Sequence, residues 1–408
     1  VTCAPGRRPN RNPKVERMTM SHPYWRCSPL TAGIAVAASL YAAGAVAAPV
    51  TINVIDVAGD LQISQPALEK FQAEHKDLVS KFVFTQATAP ELAGKLKAQQ
   101  DAGRVDIDFV LTGNDALAAG MEQGLWLEIL PKYASKFPNL KELYIPGAYQ
   151  MQEMARGQAF VIDWYPSGPL IEYAPDRVKD VPDTAEKLLA WCKAHPGRFM
   201  YARPANSGPG RTLVMGLPYL LGDKDPQDPI KGWDKTWAYL KELDTCIEYY
   251  TGGTTASMKE LAEGSRDIIA TTTGWDINPR YLGIVPEEYK VGAFKKFHWV
   301  GDANYMAIPK GVPEAKLKVV LELMAFLLKP EQQAFMYDHG YMYPGPAIKG
   351  VTLDMAPKDS QETIKKFGRP EYADLIANNP TEPPLDAKPL VQMFDKWDRE
   401  IGAAKMKK

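Results

Sequence analysis

The stretch AFVIDWYPSGPLIEY, Ala159–Tyr173, decides the fold. Two β-type runs flank Pro166-Ser167-Gly168-Pro169, with no helix-length segment between them. Parallel neighbours in one sheet need a crossover of a dozen or more residues, and this connection is far too short for that. The segment therefore reads as strands passing from one body of the protein to another. On its N-terminal side the chain alternates. Val50–Val57 (VTINVIDV), Lys81–Gln86 (KFVFTQ) and Val105–Leu111 (VDIDFVL) read as strands. Pro66–Leu78 and Pro90–Ala102 carry helical apolar spacing between them, and Thr88 is placed to cap the second helix. Strand, helix, strand, helix, strand is a βαβ series and implies a covered parallel sheet.

A second series lies on the other side. Helices are expected over Thr184–Ala194, Gly210–Leu221, Trp233–Leu243 and Ser257–Glu263, and strands at Arg198–Ala202, Cys246–Tyr250 and Ile268–Thr272. Asn304–Pro309 is β-like and leads into a long helix, Pro313–Leu328. After a Pro-rich link at 379–389, Val391, Phe394, Trp397 and Ile401 form one stripe that suits a helix docked on a core. Cys192 and Cys246 either form one disulfide or leave Cys192 as a plain core residue of its helix.

Composition narrows the function. The 408 residues are 45% apolar and 24% charged, which supports folded cores and excludes bulk disorder. The net charge of −1 hides an asymmetry: residues 1–47 hold six Lys/Arg and one acid, so the remainder carries 42 basic against 48 acidic residues. An acidic body has no electrostatic hold on a phosphate backbone, and no nucleic-acid partner is expected. Leu30–Ala48 is free of charge, follows Arg26, and ends at Ala45-Val46-Ala47, the small-x-small pattern of a cleavable export signal. Cleavage near Ala47 would release the protein into the periplasm. No G-x-S-x-G, H-E-x-x-H, P-loop or G-x-G-x-x-G occurs. Catalytic residues, cofactors and metal ligands are accordingly not expected.

Four stretches resemble the bacterial extracellular solute-binding proteins of ABC importers, family 1, in the branch covering polyamine, thiamine, ferric-ion and aminophosphonate binders. They are Trp164–Tyr173, Pro182-Asp183-Thr184 with Leu188-Leu189, Tyr250–Thr254 with Leu261–Gly264, and Asn304–Gly311 with Phe326–Ala334. One position departs from the pattern: Ala174 stands where an Asn often follows the Tyr of the crossing. The resemblance implies an α/β, two-lobed periplasmic binding protein fold of type II, each lobe a mostly parallel sheet flanked by helices, joined by a hinge. Residues 48–167 and 303–350 would form lobe one, 168–302 lobe two, and 351–408 a C-terminal helical segment. It also implies capture of a small polar solute by hinge closure and delivery by a monomer to the membrane permease of an ABC importer. A secreted hydrolase and a sensory ligand-binding protein are the alternatives.

Ligands of open α/β sheets sit beyond the carboxyl ends of strands. That rule selects Asp60, Thr88 and Asn114 after the first three strands, and Ser207, Arg211 and Thr254 at helix starts of the second series. Trp164, Tyr165 and Trp275 are aromatics beside turns, able to stack on a cation or ring with Asp60 and Asp276 as counter-charges. Tyr250, from the pair Tyr249-Tyr250, and Asn304, opening the returning strand, complete the set. Helix starts with Arg211 favour an anion, whereas aromatics with aspartates favour a cation. The sequence leaves both open.

Overall fold

The computed structural model describes residues 48–402, 404 and 405. The expected export signal and its cleavage site lie outside them. Among the described residues no helix is long and apolar enough to cross a membrane.

The described residues form eleven strands in two separate sheets. The first contains β1 (Val50–Asp56), β2 (Val79–Gln86), β3 (Phe109–Gly113), β4 (Ala159–Gly168), β9 (Trp299–Ala307), β10 (Gly345–Pro346) and β11 (Thr381–Glu382). Its order is β10-β4-β9-β3-β1-β2, with β11 beside β9. The second contains β5 (Leu170–Tyr173), β6 (Phe199–Met200), β7 (Ile268–Thr271) and β8 (Lys290–Ala293), in the order β6-β7-β5-β8. Strands β4 and β5 are separated by Pro169 alone yet belong to different sheets, so Ala159–Tyr173 is the passage that its sequence implied. The chain returns from β8 to β9, which lies antiparallel along β4 from Val300 to Ala307.

Parallel pairing holds for β1 with β2 and β3, and for β6 with β7. It does not hold for most of the remaining ladders. Strands β3 and β4 both run antiparallel to β9, and β5 runs antiparallel to β7 and β8. The sheets are mixed because the strands that carry the chain between bodies enter from the opposite end to the βαβ strands.

The helices follow their apolar spacing, with shifted ends. Leu61–Glu74 starts ahead of Pro66 and buries Ile63, Ala67, Leu68 and Phe71 on one face. Ala89–Asp101 starts on the expected cap, where Thr88 and Glu91 form a reciprocal capping box. Each sheet has its own apolar core. The second core is shared with the tail: helix Ala387–Trp397 buries Leu390, Met393, Phe394 and Trp397 against Tyr201, Tyr250 and neighbours.

The two readings of Cys192 coincide. It is buried on helix Ala185–Ala194, and it is bonded to Cys246 with the Cα atoms 5.7 Å apart. No strand forms at Cys246–Tyr250. Cys246 is tied to the helix instead, and the Tyr250 backbone N–H donates to Lys405 of the tail, which takes the place of a sheet neighbour. The disulfide closes a loop with a sequence separation of 54 residues. Chain entropy then predicts that the double variant C192A/C246A loses about 4 kcal/mol of stability in urea unfolding. A loss under about 1 kcal/mol would contradict that reading.

Candidate functional site

A cavity of about 530 Å³ opens where the two bodies meet. From the first sheet it is lined by the segments after β1 (Asp56 to Gly59), β2 (Gln86 to Ala89) and β3 (Gly113 and Asp115). These are the carboxyl ends of parallel strands, where backbone leaves the sheet and side chains become free to face a ligand. From the second body come the starts of helices Gly208–Leu221 and Thr254–Ala262. Tyr165 and Asn304 of the crossing strands, Trp275, Tyr341 and Met342 complete the wall.

Seven of the twelve residues selected from sequence line this cavity: Thr88, Tyr165, Ser207, Arg211, Thr254, Trp275 and Asn304. Ser207 caps its helix by accepting from the Gly210 N–H at 3.2 Å, and its hydroxyl meets the Thr254 hydroxyl at 2.8 Å. That contact joins the two helix starts of the second body. Trp275 packs edge-on to Tyr341, ring centres 5.2 Å apart.

The other five lie elsewhere. Asp276 is fully buried and faces away from the cavity. Its oxygens accept from Arg280 Nε at 3.0 Å, from Arg369 at 2.8 and 3.0 Å, and from the Tyr372 hydroxyl at 2.7 Å, so it anchors the tail. Tyr250 is core, donating to Asp244 at 2.8 Å and packed against Tyr201 and Trp397. Trp164 packs over Gly147. Asn114 and Asp60 stand behind the wall. Asn114 donates to Asp302 at 2.6 Å and accepts from the Tyr305 hydroxyl at 2.9 Å.

Sequence reasoning passed over Asp56, Gln86, Asp115, Tyr341 and Met342. Asp56 and Gln86 are the last residues of their strands, and the strand-end rule could have found them. Nothing local marks Tyr341 and Met342, which arrive from a distant loop. Asp56 Oδ1 accepts from the N–H groups of Gly59 and Asp60 at 2.9 and 3.0 Å, and so folds the turn. Gly59 has φ of +88°, and a Cβ there would run into the Tyr341 hydroxyl.

The floor and rear of the site hold several buried carboxylates around one guanidinium. Arg211, from the second body, donates through Nη2 to Asp302 on β9 at 2.8 Å, and its Nη1 lies 3.3 Å from Asp115. Burial disfavours the charged guanidinium, but Asp302 and Asp115 more than reverse that and hold its proton firmly. Tyr165 donates to the same Asp302 oxygen at 3.3 Å. Asp163 accepts from the Asn304 backbone N–H and side-chain amide at 3.3 and 3.0 Å. Its pKa is still pushed up to about 7, by burial above all and by nearby Asp302. Asp60 is fully buried, and neither of its carboxylate oxygens has a hydrogen-bond partner among the described residues. Burial raises it well above the ordinary carboxylate range, and repulsion from Asp163, Asp56, Asp115 and Asp302 adds to that. Burial also raises Asp56 and Asp115. No group of three or more His, Cys, Asp or Glu side chains placed to hold a metal ion occurs among the described residues.

Two α/β bodies, crossed by adjoining strands and enclosing a polar cavity between strand ends and helix starts, define a two-lobed binding protein of the type II periplasmic class. The chain belongs to the bacterial extracellular solute-binding proteins, whose family model matches residues 67–366. Solved structures with the same fold include a periplasmic thiamin binding protein (TM-score 0.61, 15% identity, covering 87% of this chain and 97% of that one). Another is the spermidine/putrescine ABC transporter substrate-binding protein PotD of Streptococcus pneumoniae (0.55, 16%, 85% and 99%). A third is the apo ferric ion-binding protein A of Pasteurella haemolytica (0.56, 16%, 86% and 97%). At these identities the likeness speaks for the fold. No curated protein matches the sequence. Membership makes the chain an extracytoplasmic solute-binding component of an ABC transport system.

The raised carboxylates make stability depend on pH. Above the ordinary aspartate value of 3.8 the unfolded chain has released protons that the folded chain still holds, up to about 7 at Asp163. Folding therefore becomes less favourable as pH rises through that window. Asp60→Asn removes one such group without removing a hydrogen bond. Its melting temperature should exceed that of the wild type by about 2–4 °C at neutral pH, with the gap closing in acid. A gap independent of pH would contradict this.

Proposed function

We propose that the protein captures a small polar organic solute in the cavity between its lobes and delivers it unchanged to the permease of an ABC importer. The observation that carries this reading is the cavity itself, which is lined from both lobes at once. A solute held there contacts both lobes only when they are together, so it stabilises the closed arrangement, and closure is the form handed on. In this reading residues 48–167 and 303–350 move as one lobe against 168–302, and the connections from β4 to β5 and from β8 to β9 bend. Residues 351–408 share the apolar core of the second lobe and also pack, through helix Ala387–Trp397, on Asn114–Glu122 of the first. The protein would act in the periplasm as a monomer after cleavage near Ala47. The ligand-binding set is Thr88, Tyr165, Ser207, Arg211, Thr254, Trp275 and Asn304, extended by Asp56, Asp115 and Tyr341.

A panel of polyamines, thiamine and its phosphates, aminophosphonates and dicarboxylates should contain a compound that raises the melting temperature and binds one-to-one in calorimetry without product formation. Small-angle scattering should then show a smaller radius of gyration in its presence. Turnover of the bound compound would contradict the proposal, as would one-to-one binding that leaves the scattering unchanged.

A further inference from the structure

The charge of the solute follows from how the chain has already used its own charges. Among the described residues Arg211 is the one cationic side chain on the cavity wall, against Asp56, Glu91 and Asp115. Its charge is matched from within: Asp302, 1% exposed, lies 2.8 Å from Nη2, and Asp115 lies 3.3 Å from Nη1. An anionic solute drawn to Arg211 would have to displace one of these carboxylates or share the guanidinium with both.

Helix starts, the other attraction for an anion, are mostly filled by the chain's own oxygens. Asp56 accepts from the N–H groups of the turn that opens helix Leu61–Glu74. The capping box of Thr88 and Glu91 closes the start of Ala89–Asp101, and Ser207 closes that of Gly208–Leu221. The start of Thr254–Ala262 at Gly253 has no side-chain cap.

Behind the wall the imbalance deepens. Asp60 is buried next to the wall residues Gly59 and Tyr341, neither of its carboxylate oxygens is hydrogen-bonded among the described residues, and it is repelled by Asp56, Asp115, Asp163 and Asp302. A positive charge in the cavity offsets that repulsion. The same charge favours the ionised forms of Asp56 and Asp115, which burial disfavours. Trp275 and Tyr341, packed edge to face on each other, are the aromatic neighbours of this part of the wall.

We propose that the solute carries a positively charged nitrogen, received beside Asp56 and Asp115, while Arg211, held by Asp302 and facing Asp115 of the first lobe, is not a receptor for an anionic head. This rests on the cavity being the solute site.

Putrescine, spermidine and thiamine serve as cationic probes. Succinate and inorganic phosphate serve as anionic ones, and 1,4-butanediol as an uncharged match to putrescine. At least one cationic probe should raise the melting temperature and bind one-to-one, with butanediol inert. D56N and D115N, each checked for a cooperative melt, should weaken that probe by about tenfold or more. Wild-type affinity for it should also fall with added salt, a readout that needs no variant. Stabilisation by succinate or phosphate but by no cationic probe would overturn the inference and leave the cavity reading standing. Stabilisation by none of the cationic probes would also overturn it. Cation binding unchanged in both variants would mean a site outside the cavity, which would sink both readings.

Discussion

The buried contact of Arg211 with Asp302 and Asp115 organises this molecule. It lies where the two bodies meet, and each partner belongs to a different part of the topology: a second-body helix, the returning strand β9 and the helix after β3. A guanidinium taken out of water needs carboxylates close at hand, and removing either partner would strand the other's charge. Asp302 also receives Tyr165 and Asn114, and Asn114 in turn receives Tyr305. The network therefore fixes the register of β4, β9 and the β3 turn together. The cavity walls inherit their positions from it.

A surplus of negative charge accompanies this tie. One guanidinium cannot balance Asp56, Asp60, Asp115, Asp163 and Asp302, and burial above all, with repulsion from neighbouring carboxylates adding to it at Asp60, Asp115 and Asp163, pushes these carboxyl groups other than Asp302 toward their neutral forms. A fold selected for stability alone would gain by replacing Asp60, which makes no hydrogen bond among the described residues. Keeping it is reasonable where the cavity must hold a charge of opposite sign. In the cluster of Asp276 with Arg280, Arg369 and Tyr372, two guanidiniums and a phenol satisfy one aspartate and fasten the tail, while Glu172 is buried beside it with neither carboxylate oxygen hydrogen-bonded among the described residues.

What the sequence disclosed was local. The Thr88 cap and the passage at Pro166–Pro169 depend on neighbours in the chain, and each appears where its residues imply. Of the residues chosen at strand ends and helix starts, Thr88, Ser207, Arg211 and Thr254 line the cavity, because backbone direction at those points is set by the βαβ geometry, whereas Asp60 and Asn114 stand behind the wall. Asp276 and Tyr250 look available beside turns, but beside their near partners Arg280 and Asp244 they are also taken up by the tail, Asp276 by Arg369 and Tyr372 and Tyr250 by Trp397 and Lys405, more than ninety residues onward. Tyr341 reaches the cavity from an equally remote loop. Sheet direction differs from the expected mostly parallel one because β9 returns beside β4 and β3, and β5 enters beside β7 and β8, and each of these ladders is antiparallel. The opposition between Arg211 and the aspartates could not be settled from spacing, because it depends on whether they touch.

A crystal structure of the protein loaded with its solute bears most directly on all of this. The expected density lies between the Asp56 turn and the start of helix Thr254–Ala262, with Arg211 still on Asp302 and a solute nitrogen facing Asp56 or Asp115. Density outside the interlobe cavity would contradict it, and so would an Arg211 that has left Asp302 to hold an anionic group of the solute.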